Sequence, residues 1–182
     1  MLLDTPICDF GQPAPDFRLA TPDGTVHTLS QHLGDKGLLV AFICNHCPYV
    51  KAIADRLAQD AATLLDEGIG VVAIMSNDYR AYPADAPPQM QAFARRHGFP
   101  FPYLVDEDQS VGRAYGAVCT PDFFGYNAAG GLQYRGRLDS LGPSSGPDRD
   151  PELLTAMRQI AATGEGPRDQ TPSMGCSIKW RD

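Results

Sequence analysis

Two cysteines separated by two residues, Cys44 and Cys47, are the pair whose types and spacing most clearly indicate chemistry. They follow the apolar run 38–43 and precede a segment, 48–65, whose apolar residues recur at helical spacing. Two thiols at such a strand-to-helix junction can close into a small disulfide ring. Because the N-terminus of a helix carries partial positive charge and free N–H groups, we expect a thiolate on Cys44. The pattern predicts redox chemistry on sulfur.

His46 lies between the two cysteines and is the predicted tuning residue of the pair. A protonated imidazole at this position would stabilise the Cys44 thiolate further. The alternative is a histidine that faces water at the start of a helix and acts on neither thiol. Both interpretations stay open at this point.

Metal binding is the main competing interpretation of the cysteine pair. Zinc requires about four ligands, usually from a second CxxC or from paired histidines. The remaining cysteines and histidines are scattered without ligand spacing: Cys8, Cys119, Cys176, His27, His32 and His97. We therefore predict no metal site, while a purely structural pair of buried cysteines remains an alternative.

The composition is that of an ordinary folded chain and excludes several classes of partner. Among 182 residues, 43% are hydrophobic and 20% are charged, and the net charge is −7. Since no basic run is present to bind phosphate groups, we expect neither a nucleic-acid nor a membrane partner. The first residues do not resemble a signal peptide, and a CxxC in a reducing compartment is more often catalytic than structural. We therefore predict a cytoplasmic location.

The order of predicted elements indicates an α/β fold in one domain, 1–182, with an N-terminal extension (1–12) and an irregular C-terminal tail (163–182). A turn at 21–24 predicts an N-terminal hairpin, and 78–88 is a loop longer than a minimal crossover needs. Further strands are predicted at 38–43, 70–75, 103–105, 122–126 and 131–135, and helices at 48–65, 89–98, 110–115 and 152–162. This order gives a mixed sheet with helices on both faces and places the dithiol at the carboxyl end of a central strand.

Three separated segments resemble one known family. They are 13–17 with the turn that follows, the motif 44–49, and 115–124 with the hairpin after it. Together they are similar to the thioredoxin superfamily, in the branch of alkyl hydroperoxide reductases and thiol-specific antioxidants. The resemblance implies a thioredoxin fold with an extra N-terminal β-hairpin and a cis peptide bond at Thr120–Pro121 beside the dithiol. In that family this backbone edge pairs with the substrate, so Thr120 and Pro121 are the implied substrate-binding residues.

Two departures from the family pattern affect the mechanism. Thioredoxins carry a buried acid on the strand that enters the motif, where this chain has Leu38, so the Cys47 proton must pass to water or another group. Peroxiredoxins carry PxxxTxxC, in which the last cysteine reacts with peroxide. Here Cys47 takes that place, with Val40 and Cys44 instead of proline and threonine. Since a histidine at position 46 recurs in strongly oxidising relatives, we expect a reduction potential above that of thioredoxin.

The other cysteines are possible accessory thiols. Cys119 precedes the implied cis-proline and is either a packing residue or a third redox thiol. Cys176 lies in the tail, which looks flexible, and either reaches a redox partner or packs inertly under Trp180. Cys8 has no predicted role. Within the central pair we expect Cys44 to be the more exposed thiol and Cys47 the more buried.

The leading hypothesis is a thiol–disulfide oxidoreductase that needs no organic cofactor. Cys44 attacks a disulfide and Cys47 resolves the mixed disulfide. The expected partners are protein disulfides or small thiols, with a reductant system that the sequence does not identify. One alternative is a peroxiredoxin-like peroxidase in which peroxide oxidises Cys47 to a sulfenic acid. Another is a non-catalytic thioredoxin-fold module that binds a metal through Cys44, His46 and Cys47 or binds a partner.

Overall fold

A mixed seven-stranded sheet forms the centre of the molecule, in a computed structural model that describes all residues, 1–182. The strands of the chain are β1 (Leu2–Asp4), β2 (Arg18–Ala20), β3 (Val26–Thr28), β4 (Leu38–Phe42), β5 (Gly70–Met75), β6 (Tyr103–Val105), β7 (Cys119–Thr120), β8 (Asp122–Tyr126), β9 (Leu132–Tyr134) and β10 (Met174–Ser177). The large sheet has the order β3-β2-β6-β5-β4-β8-β9. Strands β4, β5 and β6 are parallel, and the other neighbours are antiparallel. Both predicted hairpins, β2–β3 and β8–β9, are confirmed.

Helices cover both faces of this sheet. They are α1 (Leu29–His32), α2 (Pro48–Asp66), α3 (Pro87–His97), α4 (Ser110–Tyr115) and α5 (Glu152–Thr163). Buried residues of α2, α3 and α5 belong to one apolar cluster, and those of α4 belong to a second cluster across the sheet. The predicted α/β fold with a mixed sheet flanked by helices is therefore confirmed. No helix is both long and apolar enough to cross a membrane.

The central strand β4 explains the position of the cysteine motif. All five residues of β4 are buried, as expected for a strand with packed layers on both faces. Leu39 and Ala41 join the cluster under α2, whereas Val40 and Phe42 join the opposite cluster. Since β4 runs parallel to β5, the motif that follows β4 lies at the carboxyl edge of the parallel strands, where α/β folds bind ligands.

A second, three-stranded sheet corrects the prediction for the two termini. Strand β10 pairs antiparallel with both β1 and β7, in the order β1-β10-β7. The extension 1–12 and the tail 163–182 therefore contain strands where the sequence indicated none. Strands β1 and β10 have only three and four residues, too few for an alternating apolar pattern to be recognised. Their pairing depends on backbone groups that the side-chain pattern does not reveal.

Candidate active site

The dithiol lies where β4 ends and α2 begins. Cys47 is the N-cap residue of α2, and Pro48 is at the first helical position, where the missing N–H of proline has no consequence. Both cysteines are free thiols, and Cys44 and Cys47 are only 1% and 0% exposed. Cys44 was expected to be the more exposed thiol, but both are enclosed and the difference in exposure is too small to distinguish them. Strand β7 and the segment before α3 contact the motif and enclose it.

The Thr120–Pro121 peptide bond is cis, as the resemblance implied, and Thr120 contacts both thiols. The Cys44 Sγ atom lies 3.4 Å from the hydroxyl oxygen of Thr120. The Cys47 Sγ atom lies 3.3 Å from the Thr120 carbonyl oxygen, to which it donates a hydrogen bond when it is protonated. The predicted site residues are thus brought together. However, Thr120 is paired with Cys176 of β10, so the chain's own strand occupies the backbone edge that a substrate was expected to use.

Electrostatic interactions distinguish the two thiols. A hydrogen bond from the Cys44 thiol lowers the pKa of Cys47, and against the opposing effect of burial the N–H groups of Cys176 and Val50 lower it further. The same hydrogen bond raises the pKa of Cys44, and burial and the Asp85 carboxylate act in the same direction. The directions of the two pKa shifts favour a thiolate on Cys47, whereas the sequence predicted one on Cys44. The physical reason is that Cys47 accepts a hydrogen bond from the Cys44 thiol, whereas Cys44 faces the Asp85 carboxylate.

Asp85 is a candidate functional residue that the sequence analysis missed. A 3-10 turn, Pro83–Asp85, places its carboxylate in a fully buried position beside the motif. The carboxylate accepts the Asn45 N–H at 2.8 Å and the Asn77 side-chain amide at 2.9 Å, and it lies 2.6 Å from Nδ1 of His46. The signal available in the sequence was the unusual length of the loop 78–88, since long ordered loops often serve function.

His46, Cys44 and Asp85 form a cluster with the donor types of a metal site. One potential ligand atom from each residue lies within 4.8 Å of the other two. The Nδ1 atom of His46 is buried and has no hydrogen-bond partner, despite its short contact with Asp85. Thiolate, imidazole and carboxylate are ligands that zinc accepts. A metal-binding role would therefore use Asp85 as its third ligand rather than Cys47, and the absence of a metal site stays a prediction.

Cys176 lies beside Cys47 and is half-buried in β10. The contact between the two thiols lowers the pKa of Cys47, whereas burial and this contact raise the pKa of Cys176. Cys176 packs with the apolar cluster that contains the dithiol, and Trp180 packs with the cluster on the other face of the sheet. The expectation that Cys176 packs under Trp180 is therefore wrong, and Cys176 lies in a paired strand rather than in a flexible tail.

The two other cysteines are poorly suited to exchange. Cys119 is fully buried, and its thiol is directed to the Pro121 carbonyl oxygen at 3.6 Å. Burial and the nearby Asp122 carboxylate raise the pKa of Cys119, which favours a packing role. Burial and Asp9 also raise the pKa of the half-buried Cys8 to about 11. Neither thiol has an environment that stabilises a thiolate.

A cavity of about 370 Å³ opens next to the site. Tyr49 and Ile53 line it from the start of α2, and Pro121, Arg137 and Ser173 line it from the other side. Neither cysteine of the dithiol is among its lining residues. The cavity therefore offers a docking place beside the sulfur atoms without exposing them.

Comparison with known proteins agrees with this geometry. An uncharacterised conserved protein of Geobacillus kaustophilus matches the whole chain and 97% of its own, with 39% identity and a TM-score of 0.92. A thioredoxin-family thiol:disulfide interchange protein of Chlorobium tepidum TLS shares the fold, with a TM-score of 0.65 and 20% identity over 83% of this chain and 97% of that one. A candidate bcp peroxiredoxin of Coxiella burnetii is 26% identical over 117 residues, which are 64% of this chain and 72% of the relative. Residues 10–136 match the AhpC/TSA family, and the chain belongs to that family, within the thioredoxin-like proteins.

Proposed function

We propose that the protein is a thiol–disulfide oxidoreductase in which the pair Cys44 and Cys47 cycles between dithiol and disulfide. The observation that carries this proposal is that Thr120, next to the cis peptide bond, contacts both free thiols, with its hydroxyl oxygen 3.4 Å from the Cys44 sulfur and its carbonyl oxygen 3.3 Å from the Cys47 sulfur. The opposite directions of the two pKa shifts support one proton on the pair and a thiolate on Cys47. Since the two sulfur atoms carry both electrons, the reaction needs no organic cofactor.

The proposed reaction begins with the Cys47 thiolate. It attacks one sulfur of a substrate disulfide, forms a mixed disulfide and releases the other substrate sulfur as a thiolate. Cys44 then attacks the Cys47 sulfur, forms the Cys44–Cys47 bond and releases the second substrate sulfur. The substrate gains two electrons from the pair and two protons, one from Cys44 and one from solvent. This order reverses the roles predicted from the sequence, in which Cys44 attacked first.

Asp85 and His46 are the proposed proton acceptors for Cys44. Cys44 must lose its proton when it attacks, and both groups have an acceptor atom within 4.8 Å of the Cys44 sulfur. Thioredoxins carry a buried acid on the strand that enters the motif, where this chain has Leu38, so that position supplies no proton acceptor here. Asp85 supplies a buried carboxylate from a different element, next to the other cysteine of the pair.

Serine variants test the proposal in an insulin-reduction assay driven by dithiothreitol. We expect Cys47→Ser to abolish the activity and Cys44→Ser to hold Cys47 in a disulfide with the substrate or with a neighbouring cysteine of the chain, detectable by mass spectrometry. Cys8→Ser, which changes a half-buried cysteine outside the site, is the matched control and should keep the wild-type rate. Full activity of both Cys44→Ser and Cys47→Ser contradicts the proposed function. Trapping by Cys47→Ser alone contradicts only the proposed order of attack.

A peroxiredoxin-like peroxidase is the second candidate function. It is favoured by the thiolate at Cys47, the position of the peroxide-reacting cysteine, and by the match to the AhpC/TSA family. A hydroperoxide would transfer one oxygen atom to Cys47, giving a sulfenic acid and an alcohol, or water from hydrogen peroxide. Cys44 would then condense with the sulfenic acid and release water. Peroxide consumption that is lost in Cys47→Ser supports this candidate, and disulfide reduction without peroxide consumption supports the first.

The proposed partners follow from this chemistry. They are protein disulfides or small thiols for the first candidate, peroxides for the second, and a reductant system that restores the dithiol. Such a reductant is typical of the cytoplasm, which is the proposed location. Zinc binding that is lost in Asp85→Asn, together with an absence of disulfide reduction, would instead support the non-catalytic metal-binding alternative.

A further inference from the structure

The burial of the dithiol leaves open how a protein partner reaches it. Cys44 and Cys47 are 1% and 0% exposed, and thiol–disulfide exchange requires direct contact between the reacting sulfur atoms. The neighbouring cavity is not lined by either cysteine. Cys176 interacts with Cys47 and is half-buried rather than enclosed. It therefore combines contact with the buried pair and access from the surface.

The backbone holds Cys176 in the place where a bound substrate strand would lie. Cys176 is paired with Thr120, and Ser177 with Cys119, in an antiparallel ladder directly before the cis peptide bond. Gly175 is necessary for this approach, because a Cβ atom there would overlap the Thr120 carbonyl group. The Ser173 hydroxyl also donates a hydrogen bond to the Pro121 carbonyl oxygen at 2.7 Å. The chain thus presents a cysteine of its own to Cys47.

We propose that β10 is an internal substrate strand and that Cys176 is a third redox thiol, which exchanges disulfides between the buried pair and an external partner. The proposal rests on the dithiol function proposed above. It gives the terminal strand a chemical role in addition to its pairing with β1 and β7.

The exchange balances without a further reagent. The Cys176 thiolate attacks the Cys47 sulfur of the Cys44–Cys47 disulfide, forms a Cys47–Cys176 bond and releases Cys44, which takes up the proton that Cys176 lost. A partner dithiol then attacks the Cys176 sulfur through one thiolate and releases the Cys47 thiolate. The second partner thiol closes the partner's own disulfide and frees Cys176. In sum the partner dithiol loses two electrons and two protons. The Cys44–Cys47 pair gains both electrons and one proton, on Cys44, and the other proton goes to solvent.

The charge around Cys176 suits this sequence. The interaction with Cys47 raises the pKa of Cys176, and Lys179 opposes that effect. When Cys47 is in a disulfide it carries no negative charge, so its unfavourable effect on a Cys176 thiolate disappears while Lys179 remains. The Lys179 ammonium group is held near the strand by the Ser177 carbonyl oxygen at 2.8 Å. Oxidation of the pair therefore favours the thiolate that must attack it.

Disulfide mapping tests the exchange in the full chain. Cys44→Ser is oxidised with oxidised dithiothreitol and digested without reduction, and mass spectrometry should find an intramolecular Cys47–Cys176 disulfide. A Cys47 that stays reduced, or that pairs with Cys119 or with a second molecule, overturns the inference.

A second measurement follows the partner reaction. We expect Cys176→Ser and Cys176→Ala to form the Cys44–Cys47 disulfide with oxidised dithiothreitol but to lose the oxidation of reduced, unfolded lysozyme, whereas Cys8→Ser keeps both reactions. Oxidation of lysozyme by both Cys176 variants at the wild-type rate overturns the inference alone. If the wild type itself forms no Cys44–Cys47 disulfide, the proposed function fails and this inference fails with it.

Discussion

The two sides of the dithiol differ in charge and in the elements that form them. On the Cys44 side lie Asp85, fully buried, and His46, both close to the sulfur atom. On the Cys47 side lie only uncharged groups, namely backbone N–H donors, the thiols of Cys44 and Cys176, and the Thr120 carbonyl oxygen. A carboxylate disfavours a neighbouring thiolate, and hydrogen-bond donors favour one. We therefore propose that this environment, rather than the order of the cysteines in the motif, selects Cys47 as the nucleophile.

The largest effect is expected from a substitution of Gly175, which would displace β10 from the Cys47 side of the dithiol. In Gly175→Ala the new methyl group would overlap the Thr120 carbonyl, which should displace β10 and lower the free energy of unfolding by about 1–3 kcal/mol, as overpacking does. Loss of the Cys176 N–H should also raise the pKa of Cys47. Urea denaturation measures the first effect. Gly34→Ala is the control, because a Cβ there meets only a backbone oxygen at 3.9 Å. Equal stability of the two variants would contradict the position of β10.

The pH dependence of stability separates the two sides without disturbing the backbone. The pKa of Cys47 is lowered by folding, so below the ordinary thiol pKa of about 8.5 the unfolded chain binds more protons and stability rises with pH, by at most about 1.4 kcal/mol per pH unit. The pKa of Cys44 is raised by folding, so above that pH stability should fall. Denaturation of the reduced protein across this pH range measures both effects. In Cys47→Ser the free energy of unfolding should no longer rise with pH below about 8.5, and in Cys44→Ser it should fall less steeply above that pH. If stability still rises with pH in Cys47→Ser, the rise comes from another titrating group.

A smaller effect is expected from Asp85 on the Cys44 side. In a Cys47→Ser background, where Cys44 titrates alone, Asp85→Asn removes a negative charge and should lower the pKa of Cys44. The thiolate absorbance in the ultraviolet measures this pKa. Asp55→Asn, which changes a carboxylate whose side chain is 80% exposed, should leave it unchanged. An equal or higher Cys44 pKa in Asp85→Asn would show that the Asp85 carboxylate does not act on Cys44.

These two sides were not equally predictable from the sequence. The apolar runs of β4 and β5 and the helical spacing of α2 indicated the sheet and the CxxC junction, because the apolar pattern of a long element can be recognised from its own residues. The cis bond at Thr120–Pro121 followed from the family resemblance. The sequence did not show that Asp85 and Cys176 lie beside the dithiol, since each reaches it through tertiary contacts of an irregular loop or a four-residue strand. The sequence placed the thiolate on Cys44, whereas the contacts of Cys47 with Cys44 and with β10 favour Cys47, and these are tertiary contacts that the sequence does not show.

Ultraviolet titration of the reduced protein is the most direct test of whether Cys47 carries the thiolate. Alkylation is less suitable, because both thiols are buried and their reaction rates depend on access. We expect thiolate absorbance at neutral pH in the wild type and its loss in Cys47→Ser. In Cys44→Ser the absorbance should shift to higher pH, because Cys47 lacks its hydrogen-bond donor there. Retention of the full neutral-pH signal in Cys47→Ser, with its loss in Cys44→Ser, would contradict the account.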